Sequence, residues 1–203
     1  MRRTLALSTA ALTLTVLLAS SGEAGAAARP EIIAGLGGTF ATTGTPDGGG
    51  LSSSLTMRWP VGERGAFGVR AFADDIGTQQ GRLRDPNDGT DLGTTALTHR
   101  WSYGATWRGD YALHRGERWG GGVTGDWGYW RIEDDSRGQL SSAVSAVGFV
   151  LGGSLDRTFG ATNTGSLVLR YHRIFTDRDV APNLVGRYAS AAIEWSWKGA
   201  DRR

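Results

Sequence analysis

The sequence predicts an all-β fold, an up-and-down antiparallel barrel of eight transmembrane strands that follows a cleaved signal peptide. Three observations carry it. Apolar side chains recur at every second position over eight stretches, the period of a strand with one apolar and one polar face. No run after the leader approaches the ~20 apolar residues of a spanning helix, whereas alternating segments of roughly 9–11 residues ending in aromatics suit a spanning strand. The chain also opens with an export signal, and its 32 glycines against 5 prolines fit close strand contacts and turns.

That leader comes first. Arg2 and Arg3 form a positive start, Leu5 to Ala19 an apolar run and Ala26-Ala27-Ala28 a small-residue cleavage site, the three parts of a secretory signal peptide. Residues 1–28 are therefore assigned to the signal, 29–198 to the barrel and 199–203 to a short tail. The leader holds Arg2, Arg3 and Glu23, so the remainder of a chain with 22 basic and 20 acidic residues has a net charge near +1. Such a balance argues against nucleic acid as a partner. With no cysteine, a disulfide framework, a thiol nucleophile and a thiolate metal site are all excluded.

The first strand, Glu31 to Phe40, sets Ile32, Ala34, Leu36, Gly38 and Phe40 on one face, and Thr42 to Gly50 follows as a loop. Leu51 to Trp59 alternates most cleanly, with Leu51, Leu55, Met57 and Trp59 opposed to Ser52, Ser54, Thr56 and Arg58. After the turn Pro60 to Gly65, the third strand (Ala66 to Asp74) puts Phe67, Val69, Ala71 and Ala73 opposite Gly68, Arg70, Phe72 and Asp74. Asp75 to Ala96, with its RDPNDGTDLG, reads as the longest exposed loop. The fourth strand (Leu97 to Leu113) places His99, Trp101, Tyr103, Trp107 and Tyr111 against Arg100, Ser102, Thr106, Arg108 and Asp110.

His114 to Arg118 is a turn. In the fifth strand, Trp119 to Ile132, the outer set is Trp119, Val123, Trp127 and Tyr129, and the inner set is Thr124, Asp126 and Trp130. A polar loop, Glu133 to Ser141, precedes the sixth strand (Ser142 to Asp156), whose inner face of Ala146, Gly148, Gly152, Ser154 and Asp156 is small. Arg157 to Gly165 is a turn, and Ser166 to Phe175 sets Leu167, Leu169 and Tyr171 against Val168, Arg170 and His172. After a last loop, Thr176 to Leu184, the strand Val185 to Trp197 closes the barrel against the first, with Tyr188, Ser190 and Glu194 on its polar face.

Looser segments follow strands one, three, five and seven and tighter ones follow the rest, the layout of a barrel with long extracellular loops and short periplasmic turns. Two aromatic girdles agree. Trp59, Phe67, Tyr111, Trp119, Trp195 and Trp197 lie at the turn end, and Phe40, Trp101, Tyr103, Trp127, Tyr129 and Phe175 at the loop end. In this pattern residues 29–198 resemble the small eight-stranded outer-membrane β-barrel proteins of Gram-negative bacteria. The resemblance implies the cell outer membrane, surrounding lipid and lipopolysaccharide, dependence on the outer-membrane insertion machinery, and a monomer. Family members commonly end on an aromatic that this machinery reads, whereas here Trp197 is followed by Lys198 to Arg203.

The polar faces carry five arginines (Arg58, Arg70, Arg100, Arg108, Arg170) and five acids (Asp74, Asp110, Asp126, Asp156, Glu194), with His172 beside Arg170. An eight-stranded interior is just wide enough for side chains to fill, and buried charges must be paired, so these residues predict a charge-paired lumen with Phe72, Trp130 and Tyr188 as further filling. No serine has a spacing that resembles the lipid-modifying enzymes built on such barrels, and no metal-ligand or phosphate-binding motif occurs. The chain is read as a non-enzyme without cofactor or metal, with a structural or interaction role and loops 75–96 and 133–141 as contact surface. Three alternatives stay open: a small porin-like channel, a lipid-modifying outer-membrane enzyme, and a secreted soluble β-barrel that binds a small ligand with its Trp/Tyr/Leu face turned inward.

Overall fold

The structure, a computed structural model, describes residues 29–41, 46–47, 49–85, 88, 90–136, 142–175 and 186–198. The residues assigned to the signal peptide and the tail, the whole of the loop 176–184 and residues 137–141 lie outside them. Nine strands and no helix make up the described residues: β1 (Glu31–Ala41), β2 (Pro46–Asp47), β3 (Gly50–Val61), β4 (Gly65–Arg84), β5 (Asp91–Arg115), β6 (Trp119–Ser136), β7 (Ser142–Phe159), β8 (Asn163–Ile174) and β9 (Arg187–Lys198). The eight long ones form a closed antiparallel barrel in the order β4-β3-β1-β9-β8-β7-β6-β5, with β5 returning to β4. β9 joins β1 from Glu31↔Lys198 to Ala41↔Tyr188. Closure leaves no unpaired edge around the ring, the condition for strands to cross lipid.

Alternation sets the two faces. Leu36, Leu51, Leu55, Leu151, Leu169 and Ile193 are each more than half exposed on the outer wall, and Trp101, Tyr103, Trp107, Tyr111, Trp119, Trp127 and Tyr129 join them there. The soluble-barrel alternative required this same set inside, so the facing overturns it. In water such a continuous apolar wall would exceed by far the patches that monomers tolerate.

Three loop assignments are corrected. Asp75 to Ala96 is not a loop: β4 and β5 remain paired from Gly77↔Arg100 up to Arg84↔Asp91, and only the tip between them turns, with Asp85 N donating to Thr90 O at 2.9 Å. A bulge between Asp75 and Gly77 hides the strand in the sequence. Ile76 keeps the inward parity of Phe72 and Asp74, and the shift falls on Gly77 at φ +85°, where a side chain would be strained. Glu133 to Ser136 likewise continues β6, pairing as far as Asp134↔Ser142. Within Thr42 to Gly50, Pro46 and Asp47 form β2 against Gln79 and Thr78. At the other end the turns are as tight as the sequence requires, and Gly160 supplies the left-handed residue (φ +70°) between β7 and β8.

Strand lengths are unequal. β8 and β9 have 12 residues each, close to what lipid demands, but β5 has 25 and β4 has 20. At ~3.4 Å per residue β5 is about 80 Å long against about 40 Å for β9. The flank β4–β7 thus stands as a wall beyond the loop-end rim.

Candidate functional site in the barrel lumen

From the turn end upward, the lumen begins with a chain of ions. Arg58 bridges Glu31 (2.5 Å) and Asp110 (3.3 Å). Asp110 also accepts from Arg108 Nε at 2.9 Å, and Arg108 Nη1 reaches both oxygens of Glu194 at 3.1 Å. Glu194 then accepts from Arg170 Nη2 at 2.5 Å. The members come from β1, β3, β5, β8 and β9, so one ion chain links five of the eight walls. Burial deepens along it, from a 23% exposed Arg58 side chain to 1% for Arg170.

Above lies a separate pair, Arg70 Nη1 and Asp126 Oδ2 at 3.1 Å, both fully buried. Thr106 and Thr124 donate to the same carboxylate at 3.4 and 3.3 Å. Higher still, Asp74 takes its hydrogen bonds from Ser52 Oγ (2.6 Å) and the Tyr188 hydroxyl (2.5 Å), which spans the tube from β9 to β4. His172 stacks on Tyr188 with ring centroids 4.0 Å apart and contacts Ser190 Oγ through Nε2 at 2.9 Å. Its Nδ1 has no partner and both residues are buried. A nucleophilic serine needs an exposed Oγ and an imidazole oriented by a third group, and this pair has neither.

The top of the lumen is apolar. Phe72, Ile76, Trp130, Ile132, Ala146, Val150, Ile174 and Tyr188 form one buried cluster. Phe72 and Trp130 meet at 5.4 Å, and small residues sit beside them: Gly104 pairs with both in register, and Ala146 pairs with Trp130. A Cβ on Gly104 would lie 3.1 Å from Phe72 Cζ and 2.0 Å from the Tyr129 carbonyl. Large rings and missing side chains therefore interlock across three strands.

The ten predicted charges divide. Arg58, Arg70, Arg108, Arg170, Asp110, Asp126 and Glu194 meet as described. Asp74 is bonded to hydroxyls, Asp156 accepts from Ser154 Oγ at 3.3 Å, and Arg100 is buried on the lumen face of β5. The acids do not all share one kind of partner: hydroxyl groups bond Asp74 and Asp156, while Asp110, Asp126 and Glu194 take arginines. Glu31 completes the ion chain and was missed. Its signal was parity: it shares the inward face with Ile33 and Thr39 and pairs in register with Arg58. Missed too was the aliphatic part of the upper plug (Ile76, Ile132, Val150 and Ile174), since apolar residues on both faces blur the alternation.

Parity also separates Asp74 from Asp75. Asp75 faces out, 3.2 Å from His99 Nε2 at the rim, so the two acids do not share a site. Glu133 is taken up by Tyr103 (2.8 Å) and Arg131 (3.1 Å) on the outer wall. Among the described residues no group of acids and histidines is arranged to hold a metal. In the girdles, Trp195 stacks with Phe159 at 5.3 Å and Arg157 lies over Trp119 at 5.2 Å. Trp107 faces Trp127 directly and stacks with Phe67 at 5.5 Å, so on the β4–β6 flank aromatics run from one girdle to the other.

No family profile matches the chain, and no curated protein matches its sequence. Its fold is similar to that of Neisserial surface protein A (TM-score 0.56, 10% identity, 84% of this chain and 96% of that one). It is similar also to a major outer membrane protein from Thermus thermophilus (TM-score 0.56, 9% identity, 83% and 98%). At such identities the likeness is one of architecture, and it spans nearly the whole of both chains. The protein has the fold of the small eight-stranded outer-membrane β-barrels.

Proposed function

We propose that the protein resides in the cell outer membrane as a monomeric, non-catalytic barrel with a closed lumen, and that the projecting β4–β7 wall is its contact surface. The observation that carries this reading is the inequality of the strands: β8 and β9 stop near the lipid boundary while β4 and β5 run on as a paired hairpin. Paired strands beyond the membrane add nothing to closure of the barrel. They hold the tip near Asp88 far from the lipid on a stiff support, where binding residues usually reside. A lumen filled by ions below and rings above supports the absence of conduction.

Because the chain has no cysteine, single cysteines can report its placement. Asp88→Cys at the hairpin tip should react with a membrane-impermeant maleimide on intact cells, whereas Glu117→Cys in the opposite turn should react only after the membrane is breached. Labelling of Glu117→Cys alone would reverse the orientation, and recovery of both variants in the soluble fraction would remove the proposal.

A further inference from the structure

Arg173 on β8 and Arg187 on β9 stand directly opposite each other in register. Their neighbours His172 and Tyr188 are buried in the lumen, so alternation turns both arginines to the outer wall. Among the described residues neither has a carboxylate partner. Side chains opposed in this way have Cβ atoms ~4.5–5.5 Å apart, and like charges there repel. The two lie about ten residues above Asn163, the first residue of β8. With a strand tilt of ~40°, that height is about 25 Å, the top of the apolar band of such barrels.

Below the two arginines the wall is unusually shallow. Ala189 and Ala191 continue down β9, and Gly38 on β1 faces Ala191. No side chain comes closer than 3.9 Å to a Cβ built on Gly38. Tyr171 and Leu169 flank this furrow on β8, opposite Ala189 and Ala191, and Phe40 flanks it on β1. A cationic pair at headgroup height thus caps a furrow of small residues that descends into the apolar zone.

We propose that Arg173 and Arg187 bind the phosphate of a membrane lipid whose acyl chain lies along the Ala189–Ala191–Gly38 furrow. A phosphate between the two guanidiniums converts their repulsion into two charge-assisted contacts, for which the planar arginine fork is suited. The furrow supplies what a free phosphate would not use. The inference rests on the membrane reading above, and its failure would leave the Asp88 and Glu117 labelling pattern unchanged.

Native mass spectrometry of the folded protein in detergent separates the possibilities, with phosphatidic acid and a diacylglycerol of the same chains as probes. The protein should retain phosphatidic acid about tenfold better, the ratio expected for ~1.4 kcal/mol of charge-assisted bonding. Arg173→Gln/Arg187→Gln should abolish that preference, while Arg157→Gln at the turn end keeps it. Loss of two opposed like charges does not endanger folding, and heat-modifiable gel migration verifies the folded state of each variant. An unchanged preference in the double variant overturns the proposal. So does displacement of the lipid by millimolar glycerol 3-phosphate, which would mark a site for the phosphate alone.

Discussion

The lower lumen, between Glu31 and Arg170, and the upper lumen, around Trp130, close one tube by different means. Below, five of the eight walls contribute a charge and the filling is held by directional bonds: Arg108 and Arg170 share the single carboxylate of Glu194. Above, Phe72, Trp130, Ile132 and Val150 fill space by shape, with Gly104 cut away to admit the rings. Both halves leave a buried donor without an acceptor, Arg70 Nε and Nη2 and Arg170 Nε among the charges and Trp130 Nε1 among the rings, so part of the desolvation cost stays unrelieved in each. The ionic half is thus closed by direction and the apolar half by shape.

Removal of one charge should separate the halves most sharply. Glu194→Ala strands Arg170 and leaves Arg108 with Asp110 alone, and a buried charge left alone costs about 3–5 kcal/mol. Urea unfolding in lipid vesicles measures it. Trp130→Ala should cost a similar ~3–5 kcal/mol through the cavity it leaves, but the two losses differ in rescue. Asp126→Leu should be strongly destabilising alone and close to neutral when Arg70→Met removes the charge it strands, since apolar replacement of a buried pair is often harmless. No second polar-to-apolar change can repair Trp130→Ala. If the Arg70/Asp126 double variant were as unstable as Asp126→Leu, the ionic half would not be limited by charge burial.

The smallest effect belongs to the rim. Arg58 joins Glu31 and Asp110, but its side chain is 23% exposed against 0% for Arg70. The partners left behind, Glu31 and Asp110, keep 8% and 15% exposure at the rim, so Arg58→Ala should cost about 1–3 kcal/mol, below the value for a fully buried pair. A loss as large as that of Glu194→Ala would show that depth does not grade the ion chain.

What could be read from the sequence follows from where lipid lies. Inside the membrane the outer face must be apolar and the inner face polar, so Leu51 to Trp59 or Leu167 to Tyr171 can be oriented by inspection, and with them the positions of Arg58, Arg108 and Glu194. Beyond the lipid the outer face meets water and the apolar half of the pattern disappears, although backbone pairing continues. That is why Asp75 to Ala96 resembled a loop and is a hairpin, and why the bulge at Ile76, which shifts parity, went unread. Partners across the lumen were beyond reach for another reason. Alternation states that Asp74 and Tyr188 point inward, but their contact depends on the barrel's stagger, which no local pattern encodes.

The central claim is that the two halves together seal the barrel, and planar-bilayer recording of the purified protein tests it most directly. The unmodified protein should insert without steady conductance, because eight strands leave an interior that side chains fill. Steps should appear only when both closures are damaged, as in Glu194→Ala combined with Trp130→Ala. A steady, large conductance through the unmodified barrel would contradict the account.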